Sequence, residues 1–261
     1  MNIKKTILKF ISQLLAFFNL NYLLEYWQIK KNEKNVLLPI SKFYEGFITT
    51  NMRVIDVGAN VGNYSKVFLN YGATVVGVEP QTYCQSILNK RFKNNKNFKL
   101  IPLASGSFAA ESEIRKSQSH TIASMNPMWI DTVKKNKRFG NEAWNQTEKV
   151  VVTTLDKIIE QTVVPDYVKI DVEGFEVEVL KGLSHSVKTI SFEVTFPELK
   201  ANAINAINEI NRLGNYLYVI PNEERIIDIK SFKTTYEIIH QINELCDSHV
   251  DLSADIYAVR Q

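Results

Sequence analysis

Cysteine is scarce in this chain, and its two examples, Cys84 and Cys246, stand far apart without C-x-x-C spacing. That argues against a disulfide framework and a thiolate zinc site, and reduced thiols in a cytoplasmic protein are the expectation. An excess of one charge is also lacking. A net charge of +3 is too small to argue for a nucleic-acid partner. The basic runs Lys90-Arg-Phe-Lys93 and Lys134-Lys-Asn-Lys-Arg138 read as solvated helix faces. No apolar run near the start reaches membrane-spanning length, because Lys9, Ser12, Gln13, Asn19 and Asn21 interrupt it. Lys9 also breaks the apolar region that a signal peptide needs, and no small-residue cleavage site follows. Internal repeats and low-complexity segments are absent as well.

What is present is enough apolar content, 45% of 261 residues, to bury a substantial core. Residues 1–40 differ from the rest. Ile3 to Phe18 is rich in Leu, Ile and Phe, with Lys5, Lys9, Ser12, Ala16 and Asn19 recurring at helical spacing. This predicts an amphipathic helical extension. Two placements stay open: packing on the protein's own core or a second subunit, or lying on a membrane surface with Lys4, Lys5 and Lys9 near the headgroups. The chemistry is expected to survive its removal. Peripheral membrane contact is thereby expected of residues 1–30 at most, and a homo-oligomer is the other partner reading.

Residues 41–261 read as one domain of alternating strands and helices, hence a parallel sheet with helices on both faces. Strands are expected at 52–57, 73–79, 98–101, 167–172, 189–194, 215–220 and 254–259, with helices at 61–70, 83–92, 175–181 and 199–213. Residues 104–148 break the rhythm with Ser-rich and Gly-containing turns and Asn126-Pro127. They read as an insertion of hairpins and loops over one end of the sheet. Val150 to Thr154 closes it, a short helix follows from Asp156, and Asn243 to Ser253 reads as a polar link.

The chain is organised around Val54-Ile-Asp-Val-Gly-Ala-Asn-Val-Gly62, a strand, a glycine turn and a helix opening. Such a turn lets backbone approach a nucleotide-like ligand closely. Glu79 ends the next strand, about 20 residues on, where an acid can accept from both ribose hydroxyls. The glycines are not G-x-G-x-x-G. They read Asp56-x-Gly58-x-Asn60-x-Gly62, and a carboxylate at Asp56 would repel a pyrophosphate. It suits a cationic ligand such as S-adenosylmethionine (SAM), with its sulfonium and ammonium. An NAD-dependent oxidoreductase is therefore the weaker alternative, and a catalytically idle SAM-fold scaffold is the other.

A second constellation sits in the strand ending at Val172. Alternation puts Tyr167, Lys169 and Asp171 on one face, where a central parallel strand is normally apolar. Ionisable groups are tolerable there as a pair, or at the carboxyl edge where ligands bind. Glu173 follows, and Glu176 opens the next helix, where an acid suits the macrodipole.

The glycine turn with Gly77-Val-Glu-Pro80, Thr154-Leu-Asp156, the block from Lys169-Ile-Asp-Val-Glu-Gly174 to Gly182, and Phe192-Glu-Val194 resembles the FkbM family of SAM-dependent methyltransferases. The resemblance covers roughly Tyr44 to Val259. It implies a class I, Rossmann-like α/β fold, a mostly parallel seven-stranded sheet with an antiparallel last strand, and methyl transfer to a hydroxyl of a sugar, glycan or natural-product acceptor. By position, Asp56, Gly58, Asn60 and Gly62 would line the methionine end and the turn, and Glu79 would hold the ribose. Ser105 would meet the adenine, and Asp171 the amino group and methyl. Tyr44-Glu45 would lie ahead of the first strand, covering the cofactor or standing on a surface helix. Ser119-His120-Thr121 departs from the family pattern and leaves the acceptor open.

Such a transfer needs alignment and a base. Asp171 and Glu173 are like charges close together, which raises one pKa, while Lys169 opposes the shift. Glu173 is the expected base, with Asp171 and His120 as competitors. His185, His240 and His249 read as bland surface residues. No metal is expected, although Asp171, Glu173 and Glu193 together would suit a divalent ion.

Overall fold

The computed structural model describes residues 21–117, 119–221, 231–248 and 252–261. The amphipathic pattern of residues 3–18 and His249 lie outside these. Short apolar segments, each followed by a turn and a helix, build a central seven-stranded sheet. Its strands are β1 (Arg53–Val57), β2 (Thr74–Val78), β3 (Phe98–Ile101), β7 (Tyr167–Ile170), β8 (Thr189–Phe196), β9 (Tyr216–Val219) and β10 (Leu252–Arg260). The order is β3-β2-β1-β7-β8-β10-β9, with β10 antiparallel to both neighbours and the other pairs parallel. The expected α/β class and antiparallel last strand are both present.

The chain runs outward from β1 in one direction and from β7 in the other, so the order reverses between these two strands. At such a switch point the loops after the strands part and leave a crevice.

Helices cover both faces. On one, α1 (Tyr22–Tyr44), α2 (Asn63–Asn70) and α3 (Thr82–Phe92) pack together. On the other, α5 (Leu155–Glu160), α6 (Glu176–Lys181), α7 (Lys200–Arg212) and α8 (Thr235–Asp247) bury Ile158, Leu180, Ile207 and Ile238 in the larger core. None of the described helices is long and apolar enough to cross a membrane.

Helix α1 runs through the boundary expected at residues 40 and 41. Its Glu33 meets Arg91 Nη2 at 3.0 Å, and that guanidinium also donates to the Val61 carbonyl at 2.8 Å and Asn63 at 2.9 Å. At its end Tyr44 is fully buried. The Tyr44 hydroxyl hydrogen-bonds those of Tyr257 at 2.8 Å and Tyr167 at 3.2 Å, and Tyr167 bonds Ser191 at 2.7 Å. Tyr44 therefore does not line the cleft; it ends a helix whose other residues, Leu37 apart, are half-buried or exposed, its own side chain is buried against the sheet, and Glu45 is exposed.

The insertion is more ordered than hairpins and loops. It contains β4 (Ala104–Ser105), β5 (Ala110–Lys116), a 3-10 turn (His120–Ile122) and α4 (Pro127–Lys135). With β6 (Gln146–Thr153) its strands form a second sheet, β4-β6-β5. Asn126 caps α4, accepting from the Met128 and Trp129 amides, and Pro127 follows at the first turn, where its missing N–H costs nothing. Asn243 to Asp247 is no link but the end of α8, whose start carries a Thr234–Glu237 capping box.

Candidate active site

The crevice at the β1/β7 switch is a cleft of about 240 Å³ whose walls include Gly58, Asn60, Glu79, Ser105, Asp171 and Glu173. Its floor is the glycine turn. Gly58 has φ +82°, and a Cβ there would stand 1.8 Å from the Asp171 carbonyl oxygen, so only glycine lets the two loops approach. The Asp171 amide donates back to the Val57 carbonyl at 2.9 Å.

Glu79 stands at the end of β2 as expected. One carboxylate oxygen accepts from the Asn60 amide and the other from the Gln81 amide, each at 2.8 Å. A carboxylate has about four acceptor sites, so capacity remains for a ligand. Burial outweighs these donors and pushes the carboxyl up to about 7.

Three expected residues lie outside the cleft wall. Asp56 is 1% exposed and accepts from Ser65 Oγ at 2.6 Å, holding α2 against β1 from below. It faces its strand neighbour Lys169 across the sheet. Gly62 serves helix packing: a side chain there would strike Leu88 and Phe92 of α3. Lys169 is buried behind the wall, donating to Asp171 at 2.7 Å with its ammonium 4.1 Å from the Tyr64 ring centre. None of the three lines the cleft.

What Lys169 does is set the charge of the wall. Burial opposes ionisation of Asp171, but the ammonium outweighs it and holds this carboxyl below its usual range. Glu173 goes the other way: burial, then the charges of Asp171 and Glu176, push it well up. Glu193, from β8, also lines the cleft. The Asp171 charge, burial and Glu173 together raise it well above its ordinary value. Ligand atoms of Asp171, Glu173 and Glu193 lie within 4.8 Å of one another. Glu193 is the one wall carboxyl outside the expected catalytic and cofactor set. Its signal was the one charged residue in the otherwise uncharged Thr189-Ile-Ser-Phe-Glu-Val-Thr-Phe196.

The Glu173 loop is held rigidly. Glu173 has φ +53°, a left-handed conformation costing a non-glycine residue roughly 1–2 kcal/mol. Hydrogen bonds offset that cost: Ser124 Oγ donates to the Glu173 carbonyl at 2.6 Å, and Asn126 and Asn202 donate to the Gly174 carbonyl at 2.7 and 2.9 Å. The Glu176 carboxyl accepts from the Val172 and Gly174 amides at 3.2 and 3.0 Å, so it fastens this loop rather than reaching the cleft.

His120 also lines the cleft, paired through Nε2 with Glu25 of α1. His185 pairs with Asp156 at 2.9 Å and His240 with Glu244 at 3.5 Å, both away from the cleft wall. The cleft thus offers acids at one end, Glu79 at another, and a buried Ser105 Oγ that has no partner among the described residues. Carboxyls in excess over one buried ammonium suit a ligand that brings positive charge. The orphaned serine hydroxyl suits a heterocycle edge, and Glu79 suits a vicinal diol. An adenosyl sulfonium carries all three.

A family model described as the methyltransferase FkbM domain matches residues 56–237. No curated protein matches the chain. Among solved structures, similarity extends to a TehB-like SAM-dependent methyltransferase from Corynebacterium glutamicum, at 7% identity and a TM-score of 0.43, covering 85% of this chain and 86% of that one. A precorrin-6y C5,15-methyltransferase from Geobacter metallireducens aligns at 11% identity and a TM-score of 0.41, with 82% of each chain covered. Aeropyrum pernix fibrillarin, in complex with natively bound S-adenosyl-L-methionine, aligns at 11% identity and 0.39, covering 81% of this chain and 68% of that one.

Proposed function

The chain belongs to the FkbM family of SAM-dependent methyltransferases, and from that premise we propose that it methylates a hydroxyl oxygen of a sugar, glycan or natural-product acceptor, with Glu173 as general base. Bound SAM supplies a methyl group already activated on a sulfonium. Gly58, Asn60, Glu79, Ser105 and Asp171 are the residues that would hold it, Glu79 at the ribose and Asp171 at the cationic end.

The observation that carries the reading is the unequal state of the wall carboxyls. Lys169 keeps Asp171 ionised, and Asp171 in turn raises Glu173 and Glu193. A hydroxyl becomes a competent nucleophile by losing a proton as the new bond forms. A carboxyl whose proton affinity has been raised accepts that proton with more driving force than an ordinary one. The clamped loop fixes its position, so alignment and proton removal come from the same few residues. Lys169 acts through Asp171 and touches no reactant.

The test has two stages. Incubating the protein and labelled SAM with a pool of glycans and hydroxylated small molecules should give label on oxygen, located by mass spectrometry. With an acceptor in hand, kcat should rise with pH as Glu173 loses its proton. Glu173→Gln should lower kcat by about 10²-fold or more. Normal kcat with the parent's acidic limb in that variant would move the base to Asp171 or His120. Label appearing only on nitrogen or carbon would overturn the hydroxyl acceptor.

A further inference from the structure

We propose that His120 hydrogen-bonds a ribose hydroxyl of the cofactor through Nδ1, and that Glu25, reaching across from helix α1, fixes the ring for this role. The inference rests on the cofactor reading above and adds a binding residue from the insertion and a positioning residue from the N-terminal helix.

The 3-10 turn is fastened over the nucleoside end of the cleft by its own main chain. The His120 carbonyl accepts from Asn60 Nδ2 at 3.3 Å and from Gln81 Nε2 at 3.1 Å. These are the two residues whose amides hold Glu79. The turn is fixed from behind as well, with Trp144 Nε1 donating to the Ile122 carbonyl at 2.7 Å.

The two ring nitrogens then have different fates. Nε2 is hydrogen-bonded to one Glu25 oxygen, and the other Glu25 oxygen accepts from Tyr83 at 2.7 Å. An ionised carboxylate can only accept, so Nε2 carries the hydrogen. In the neutral ring this leaves a lone pair on Nδ1. Nδ1 is buried and has no partner among the described residues, although its residue lines the cleft. A buried polar atom is normally paired, and a ligand hydroxyl beside Glu79 would complete this one. The same commitment of Nε2 and the carbonyl ties His120 to the nucleoside end, away from a role as base.

Equilibrium titration of S-adenosylhomocysteine and its 2′-deoxy and 3′-deoxy ribose analogues into parent and His120→Ala forms a double-mutant cycle. The parent should lose roughly 10-fold in affinity on removal of the contacted hydroxyl, as for one hydrogen bond. His120→Ala should bind the full ligand about 10-fold more weakly and discriminate much less against that one analogue. If both analogues lose the same factor in parent and variant, His120 touches no hydroxyl and the proposal falls, even where the variant binds weakly overall. Glu25→Gln should raise KM for SAM more than it lowers kcat. Nitrogen-15 spectra should show the Nε2-protonated tautomer in the parent and a shifted tautomer population in Glu25→Gln. An Nδ1-protonated ring in the parent would remove Glu25 from its positioning role. Failure of S-adenosylhomocysteine to bind the parent at all would overturn the cofactor reading, and this inference with it.

Discussion

Glu176 shows how a single buried carboxyl makes this fold sensitive to pH. Burial is the main cause that pushes its pKa to about 7, against an ordinary value of 4.5, and its amide donors only partly oppose the shift. The folded protein therefore holds this proton more tightly than the unfolded chain does. Its contribution to stability is complete below about pH 4.5 and is lost as pH rises through about 7. Glu79 has the same sign and the same window. Glu176→Gln keeps an oxygen for the Val172 and Gly174 amides and has no proton to lose. We expect nearly equal Tm for parent and variant at pH 5 and a variant several degrees more stable at pH 8, at about 2–4 °C per kcal/mol for a chain of this size. Parallel Tm curves across that range would place the titration elsewhere.

At the scale of elements, α1 packs on the body of the protein, one of the two placements left open for the N-terminal extension. Its two acids point inward, Glu25 to His120 and Tyr83 and Glu33 to Arg91. The Arg91 side chain is 1% exposed, so removing its partner leaves a buried charge only partly satisfied by the Val61 carbonyl and Asn63. Glu33→Ala should cost ~3 kcal/mol in urea unfolding, near the low end for breaking a buried pair. A change below about 0.5 kcal/mol would class the pair with surface ion pairs. This element also marks where sequence reading stops. The turn of Gly58 and the Asp171-Val-Glu173 block were legible because each site is local: strand, turn and helix lie within a few residues. Glu25 and Tyr44 reach the site or its support from distant segments, and no local pattern announces such a meeting, whereas Glu193 was legible as an acid in its strand and as a third carboxylate beside Asp171 and Glu173. Helices α4 and α8 are different. Asn126-Pro127 and Thr234-x-x-Glu237 are start signals that were present, and reading one as a turn and passing over the other hid two helices.

For the whole molecule, a ligand that bridges the loops after β1, β2 and β7 should stabilise the fold as one unit. SAM at 100 times its Kd adds about 2.7 kcal/mol by mass action. A thermal scan should therefore show Tm rising by several degrees with SAM and not with NAD. Equal shifts with both, or with neither, would contradict an intact cofactor site.

The tyrosine hub beneath the sheet has a consequence in time. Tyr44 and Tyr257 are 213 residues apart, and chains are synthesised at about 5–20 residues per second. On the ribosome the helix that carries Tyr44 waits on the order of 10–40 s for its hydroxyl partner, a delay that follows from the same elongation rate. Until β10 slides between β8 and β9, the Tyr44 hydroxyl has no Tyr257 to bond and the sheet carrying Lys169 lacks its antiparallel strand. The growing chain can make the glycine turn early, but the hydroxyl network beneath the sheet is complete only once β10 has been made.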